Sequence, residues 1–427
     1  LAAGCAAPER PPENPGIVLV VIDTLRADHL HAYGYNRPTS PHLDRLSDEG
    51  ERYEQAYSQS PWTLPAIATM LTGRLPQIHG AGLDPDGQLF PLRAGVPTLA
   101  ETLSQAGFRT GAIVNVEFCR PRSGLARGFG TYDFVAGTDS NRGGRDAAGT
   151  TDAALKWLSG IGDEPFFLLV HYFDPHLTYD PPAPYDTMFQ GGEASLIGRG
   201  FGTVEQLFAL RRGEVTLSPA QRKSLIARYD GEIRFVDEQF GRLREGLEQA
   251  GLWDRSLVFV TSDHGEEFWE HGGFEHGHSH HREVLRIPLI ARWPDGRTGI
   301  RHGRVRQLDL APTILSYVGL PIPPELPGRP LDEQGSSYSV AAGSLWAGYL
   351  LSIRSDDGTL ILDRAGGRRL FFPPEDQAEK REARASHLRT ANRLEDILRT
   401  LPDPLQDAAQ ELTDEQRDNL RTLGYIQ

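Results

Sequence analysis

Residues 17–23 read IVLVVID. Six apolar residues, mostly β-branched, run without a polar break into a carboxylate, Asp23. A strand that is apolar on both faces belongs inside a parallel sheet covered by helices on each side. SLVFVTSD at 256–263 repeats the form and also closes in Asp263. Between and after these two runs, FRTGAIVN (108–115), PFFLLVHYFD (165–174) and RIPLIARW (286–293) read as further strands. Helical patterns alternate with them over 40–50, 64–72, 98–107, 150–160 and 218–251. The first has Ser40 at the cap position, Pro41 in the first turn and Gly50 as the stop. Such alternation predicts an α/β sandwich with a mainly parallel central sheet.

The texture changes near residue 341. YLLSIRSDDGTLILDRAGGRRLFF (349–372) reads as short antiparallel strands around a DDG turn, and 375–400 is charged and helical. This predicts a small C-terminal α+β subdomain over 341–427, after a catalytic unit over 16–340 and a tether over 1–15. Two Gly-rich polar stretches, 137–149 and 183–217, read as long loops placed to cover a substrate.

Of 427 residues, 39% are hydrophobic and 24% charged, which is ample for a core. The formal net charge of -14 argues against a nucleic-acid partner. The two cysteines, Cys5 and Cys119, form neither a disulfide framework nor a zinc-finger array. LAAGC at the start resembles the lipobox that ends a bacterial lipoprotein signal. The expectation is lipidation at Cys5, an extended Pro-rich tether and a periplasmic lipoprotein of the cell envelope, outer-membrane anchored. No run of 18 apolar residues is present, so the lipid would be the membrane contact.

Ligands gather at the carboxyl ends of parallel strands. Asp23 and Asp263 end two such strands, and His264 follows the second. Two carboxylates and an imidazole suit a divalent cation. EHGGFEHGHSHH (270–281) adds five histidines, and HYFDPH brings His171, Asp174 and His176 toward the same edge. A weaker second set would be His171, Asp174 and His271. SPWTLPAIATMLTG (60–73) opens a helix with Ser60, Thr63 and Thr69 as candidate hydroxyls. The unpaired N–H groups of a helix start also favour anions.

These pieces resemble the sulfatase family of the alkaline phosphatase superfamily. VVIDTLRADHL (20–30), PWTLPAIATMLTGRLPQIHG (61–80), GFRTGAIVN (107–115), HYFDPHLTYDPP (171–182), VFVTSDHGEEF (258–268) and EVLRIPLI (283–290) match its motifs in order, from residue 16 onward. The resemblance implies an alkaline phosphatase-like sandwich and an ester hydrolase. It places Asp23, Thr63, Asp263 and His264 at the metal and His176 beside the leaving-group oxygen. Asn115 and His278 fall where the family carries substrate-binding lysines. Thr24 replaces a second aspartate ligand, and Asp263-His264 replaces Asp-Asn. That change favours Mn²⁺ or Zn²⁺, with Ca²⁺ the alternative.

The family nucleophile is a Cys or Ser in Cys/Ser-x-Pro-x-Arg, oxidised to formylglycine. The register set by Thr72-Gly73-Arg74 puts Thr63 at that position, Pro65 at the proline and Ile67 at the arginine. Thr63 carries a methyl on Cβ, so no formylglycine is expected. An unmodified Thr resembles the superfamily members that act on phosphorus. The expected reaction is therefore hydrolysis or transfer of a phosphate mono- or diester through Thr63. The substrate would be a small molecule or a cell-surface ester. A sulfate-ester hydrolase and a catalytically inactive binder of anionic surface polymers are the alternatives.

Overall fold

A computed structural model describes residues 13–83, 89–135, 144–190, 201, 204–333, 335–345, 347–372 and 376–401. The strand Gly16–Ile22 is buried along its whole length, as its sequence requires. It lies parallel between Phe166–Tyr172 and Ser256–Thr261, with Gly16 opposite Phe166 on one side and Ser256 on the other. Arg109–Val114 and Thr131–Phe134 extend the parallel block beyond Phe166–Tyr172. On the other flank Leu289–Arg292 joins Ser256–Thr261 antiparallel, then Glu51–Tyr57, with Arg286–Ile287 antiparallel and Gly299–Arg306 parallel to it, completes a nine-stranded sheet.

The alternation within the first strand sets the layers. Ile17, Leu19 and Val21 pack on one face with Leu64, Ile67 and Leu71 of the helix Thr63–Thr72 and with Leu310 and Ile314. Val18, Val20 and Ile22 pack on the other with Leu43 and Leu46 and with Ile233, Val236, Phe240 and Leu243 of the long helix Pro219–Gln249. That helix starts with a Ser218–Gln221 capping box. The helix Leu99–Gln105 starts with one formed by Thr98 and Glu101. Such boxes satisfy two otherwise orphaned N–H groups at once. The result is the expected α/β sandwich with a mainly parallel central sheet.

Several elements differ from the sequence reading in detail. The stretch 286–293 is two strands, Arg286–Ile287 and Leu289–Arg292, because Pro288 has no N–H to give a ladder. Ser40 precedes the helix Pro41–Asp48 but does not cap it; its hydroxyl donates to Asp44 and accepts from the His31 N–H. The stretch 183–217 contains the short helices Tyr185–Met188 and Val204–Arg211. Most of the loop read over 137–149 lies outside the described residues, and a helix already begins at Ala147.

The small antiparallel sheet runs Tyr338–Ala342, Leu350–Ser355, Gly358–Asp363 and Arg368–Phe371, a few residues earlier than the texture change suggested. With the helix Leu388–Arg399 it encloses a core of Val340, Ile353, Leu360, Leu370, Leu394 and Leu398, joined by Leu75 and Leu308 of the larger unit. No helix among the described residues is long and apolar enough to cross a membrane. Cys5 lies outside the described residues, and Cys119 is a buried free thiol.

Candidate active site

The first strand and Ser256–Thr261 end side by side, and their next turns deliver Asp23, Asp263 and His264. All three are fully buried, and their ligand atoms lie within 4.8 Å of one another. The backbone around them is tightly held. Gln307 donates to the carbonyls of Ser262 and Asp263 at 2.9 and 2.6 Å. Ser262 accepts from the Leu25 N–H, and Asp263 Oδ1 accepts from the N–H groups of His264 and Thr24 at 2.9 and 3.2 Å. Thr24 sits at φ 55°, a costly conformation for a β-branched residue. Strain of that kind persists where surrounding contacts over-determine it, and here the Tyr229 hydroxyl also anchors the Thr24 carbonyl.

Neither carboxylate oxygen of Asp23 has a hydrogen-bond partner among the described residues. Burial and the adjacent Asp263 charge push the Asp23 carboxyl well above its usual range. His264 faces both acids, with Nε2 3.2 Å from Asp263 Oδ2 and 3.7 Å from Asp23 Oδ1. Burial opposes its charge, but Asp263 and then Asp23 outweigh that and raise it to about 9. Its Nδ1 lies 3.0 Å from the Gly265 carbonyl. A histidine that gives one N–H to a carbonyl and aims the other nitrogen at two carboxylates has the arrangement of a metal ligand. The orphaned oxygens of Asp23 make the same point, because a buried carboxylate needs a counter-charge. The residues present fit a divalent cation held by Asp23, Asp263 and His264.

Thr63 is the first residue of its helix, whose N-terminus no side chain caps. Its Oγ1 stands 3.4 Å from His264 Nε2, which brings the hydroxyl into the same cluster. Of the other two hydroxyls, Thr69 pairs with His79 at 3.1 Å and Ser60 is buried before the helix. Ile67, at the family's arginine position, is a buried core residue on the sheet-facing side.

His176 reaches the site from the loop after Phe166–Tyr172. Its ring stacks on Phe173 with centroids 4.5 Å apart and stands edge-on to His276 at 5.0 Å. Burial, reinforced by His276, lowers it to about 3. Its Nδ1 faces the Leu177 carbonyl at 2.8 Å, so the neutral ring turns a lone pair at Nε2. His171 points at the same acid, Nε2 to Asp23 Oδ2 3.4 Å. The weaker second set is dispersed. His171 is at Asp23, Asp174 lies toward Asp146 and Glu232, and His271 pairs with Glu283.

Asn115 and His278 are occupied elsewhere. The Asn115 amide donates to Thr150 and to the His171 carbonyl at 2.8 and 2.7 Å, while its oxygen accepts from Arg145. It braces the strand that carries His171. His278 pairs with Glu267 at 2.8 Å. The histidine that does face the cluster is His276, whose ring centroid is 4.4 Å from that of His264. Gly277 at φ 79° reverses the chain between the two, so neighbours of similar type point to different places. His276 is held by Glu266, which also accepts from the Tyr179 hydroxyl at 2.8 Å. The His-rich run was the signal for His276; nothing in the sequence separated it from its four neighbours.

A family model described as Sulfatase matches residues 15–320. An N-acetylglucosamine-6-O-sulfatase of Bacteroides thetaiotaomicron is 23% identical, covering 77% of this chain and 72% of the relative. Among solved structures, BT4656 in complex with D-glucosamine-2-N,6-O-disulfate superposes with a TM-score of 0.74 at 20% identity, over 90% of this chain and 97% of that one. A phosphonate monoester hydrolase of Agrobacterium radiobacter gives a TM-score of 0.72 at 20% identity, over 90% and 94%. The fold and the acid–acid–histidine cluster at the ends of its parallel strands define a hydrolase of the alkaline phosphatase superfamily. Within that class the chain belongs to the sulfatase family, whose members are metal-dependent.

Proposed function

We propose that this hydrolase cleaves phosphate esters through a covalent intermediate on Thr63. The observation that carries the reading is the Thr63 hydroxyl, 3.4 Å from His264 Nε2 at an uncapped helix start. The fold is shared by proteins named for sulfate and for phosphonate esters, so it does not choose between them. Thr63 at the nucleophile position supports phosphorus. Thr63 cannot supply the aldehyde hydrate on which formylglycine sulfatases depend.

A cation held by Asp23, Asp263 and His264 would lower the pKa of the Thr63 hydroxyl and neutralise phosphoryl charge. The Thr63 proton leaves to solvent, and Oγ1 attacks phosphorus opposite the leaving oxygen. The N–H groups at the helix start face the equatorial oxygens. An arriving phosphate sets negative charge beside His176 and favours its imidazolium. His176 then gives that proton to the departing alkoxide. Water attacks the Thr63 phosphoester while His176 takes its proton, the P–Oγ1 bond breaks, and a solvent proton returns to Oγ1, which restores the hydroxyl and releases phosphate or a monoester. His276, fixed by Glu266 and Tyr179, borders the same space and would hydrogen-bond a phosphoryl oxygen.

The test compares nitrophenyl sulfate, nitrophenyl phosphate and bis(nitrophenyl) phosphate with Mn²⁺ or Zn²⁺, for the native protein and Thr63→Ala. Phosphate-ester turnover lost in Thr63→Ala is expected. Turnover that survives the substitution rejects the nucleophile, and faster sulfate than phosphate turnover rejects the phosphorus reading. We also propose, from the lipobox-like LAAGC ending at Cys5, that the enzyme is a lipoprotein of the cell envelope. Metabolic labelling with a fatty acid, absent from Cys5→Ala, is the check.

A further inference from the structure

We infer that His171 is a positioning residue of the metal centre, donating from Nε2 to the second oxygen of Asp23. The inference rests on Asp23 being a metal ligand. The register of the sheet sets up the contact. His171 pairs with Val21 across the parallel ladder, and the Asp23 N–H donates to the next carbonyl, that of Tyr172, at 2.9 Å. Leu169 and Phe173, two residues to either side of His171, pack in the same core as Val21. Residues two apart share a face of a strand, so the His171 ring stands on the Val21 face, beside the strand end that carries Asp23.

His171 is fully buried, and neither of its ring nitrogens has a hydrogen-bond partner among the described residues. The same is true of both Asp23 oxygens. Orphaned polar groups are rare in a packed interior, and two such side chains in contact call for one explanation. His171 Nε2 and Asp23 Oδ2 stand 3.4 Å apart. The other nitrogen decides what His171 does there. A ligating histidine passes its second N–H to a carbonyl, a carboxylate or a water. His264 has such a contact, with Nδ1 3.0 Å from the Gly265 carbonyl. His171 Nδ1 has none. As a ligand through Nε2, His171 would bury an unpaired N–H at Nδ1. With the proton on Nε2 it leaves only a lone pair unpaired, and an unpaired buried donor is the rarer of the two.

Nε2–H therefore faces Oδ2, while Asp23 Oδ1 is the oxygen that faces His264 Nε2, at 3.7 Å. A ligating Asp23 is ionised, and its remaining buried oxygen then needs a donor. A small turn of the ring brings the pair to a charge-assisted hydrogen bond. His171 is braced in turn. The Asn115 amide donates to its carbonyl at 2.7 Å, and Arg145 holds the Asn115 oxygen at 2.9 Å. Arg145, Asn115 and His171 thus form a line of contacts that ends at Asp23.

The test uses the full chain, stripped with chelator and titrated with Zn²⁺ by calorimetry, as native protein, His171→Leu and His171→Gln. The glutamine amide keeps a donor near the place of Nε2. His171→Leu should weaken zinc by about 10- to 100-fold, and His171→Gln should recover most of that loss. The metal-free melting temperature of His171→Leu should equal or exceed that of the native protein, because leucine removes two unpaired buried nitrogens. Electron spin-echo spectra of the Cu²⁺-loaded protein should show one coordinated imidazole with and without His171. Unchanged zinc affinity in His171→Leu overturns the inference, as does His171→Gln that binds as weakly as His171→Leu. A second imidazole that disappears with His171 overturns it too, by making His171 a ligand. His171→Met, also without a donor, stands in if His171→Leu does not fold. Native protein that binds no zinc would remove the metal centre itself, an outcome distinct from a centre that binds equally well without His171. The result is independent of which ester the enzyme cleaves.

Discussion

Replacing Asp23 with asparagine should have opposite consequences in metal-free and metal-loaded protein. In the metal-free state two buried carboxylates stand within 4.8 Å of each other, with His264 between them. Like charges at that distance repel by about 3.5 kcal/mol at an effective dielectric of 20. Burial and then the Asp263 charge raise the pKa of Asp23, which favours its neutral form. Asparagine resembles that neutral form, so metal-free Asp23→Asn should match the metal-free native protein within about 1 kcal/mol, or exceed it at higher pH. The sign follows from linkage. A carboxyl whose folded pKa is raised binds more protons folded than unfolded, so its contribution to stability falls as pH rises. His264, raised to about 9, contributes stability that is complete below about 6.5 and lost through about 9.

Metal binding reverses the comparison. Saturation at 1,000 times Kd should stabilise the native protein by about 4 kcal/mol and leave Asp23→Asn nearly unchanged. Because the His264 proton must leave, affinity should rise about tenfold per pH unit below about 9, and more steeply where Asp23 is also protonated. Urea denaturation of both proteins, with and without Mn²⁺ or Zn²⁺ at several pH values, measures every quantity. A full metal-dependent gain in Asp23→Asn would refute Asp23 as a ligand. A metal-free Asp23→Asn destabilised by more than about 2 kcal/mol would refute the protonated resting state.

His276→Ala should lower kcat at least tenfold on phosphate esters, while His278→Ala should cost less, since His278 pairs with Glu267 away from the cluster; steady-state kinetics of the two decide it. Glu379→Gln leaves Arg354 buried without its carboxylate partner and should destabilise by about 3–5 kcal/mol in urea. Glu379 is held down to about 2 chiefly by Arg354 against its burial, so its contribution is present above about 4.5 and is lost as pH falls toward 2; native unfolding followed from pH 6 downward, against the variant, should show the difference vanish. Ile67→Arg, which restores the family residue, should yield poorly folded protein, because the position lies in the sheet-facing core; circular dichroism and solubility report it.

Local sequence was enough for the sandwich. The two faces of IVLVVI alternate between two cores, as a strand covered by helices on both sides of a parallel sheet requires. It was also enough to expect Asp23, Asp263 and His264 at one edge of the sheet, because a strand's end fixes where its next residues stand, and the structure brings their ligand atoms within 4.8 Å of one another. Thr63 followed from a register, and the structure brings its hydroxyl to His264. Long-range geometry decided the rest. Asn115 and His278 stand where the family carries lysines, and each is taken by other partners, Asn115 by Thr150, Arg145 and the His171 carbonyl and His278 by Glu267. His276, Glu266 and Tyr179 meet from three segments, and which of five histidines would face the cluster depended on the φ of Gly277. The same holds for Glu379, whose carbonyl accepts from His271 Nε2 across more than a hundred residues. Periodicity and strand ends are properties of neighbouring residues, and they can be read along the chain. Tautomers, orphaned carboxylates and ring stacking depend on which distant groups the packed core brings within a few ångströms, and only the tertiary structure determines that.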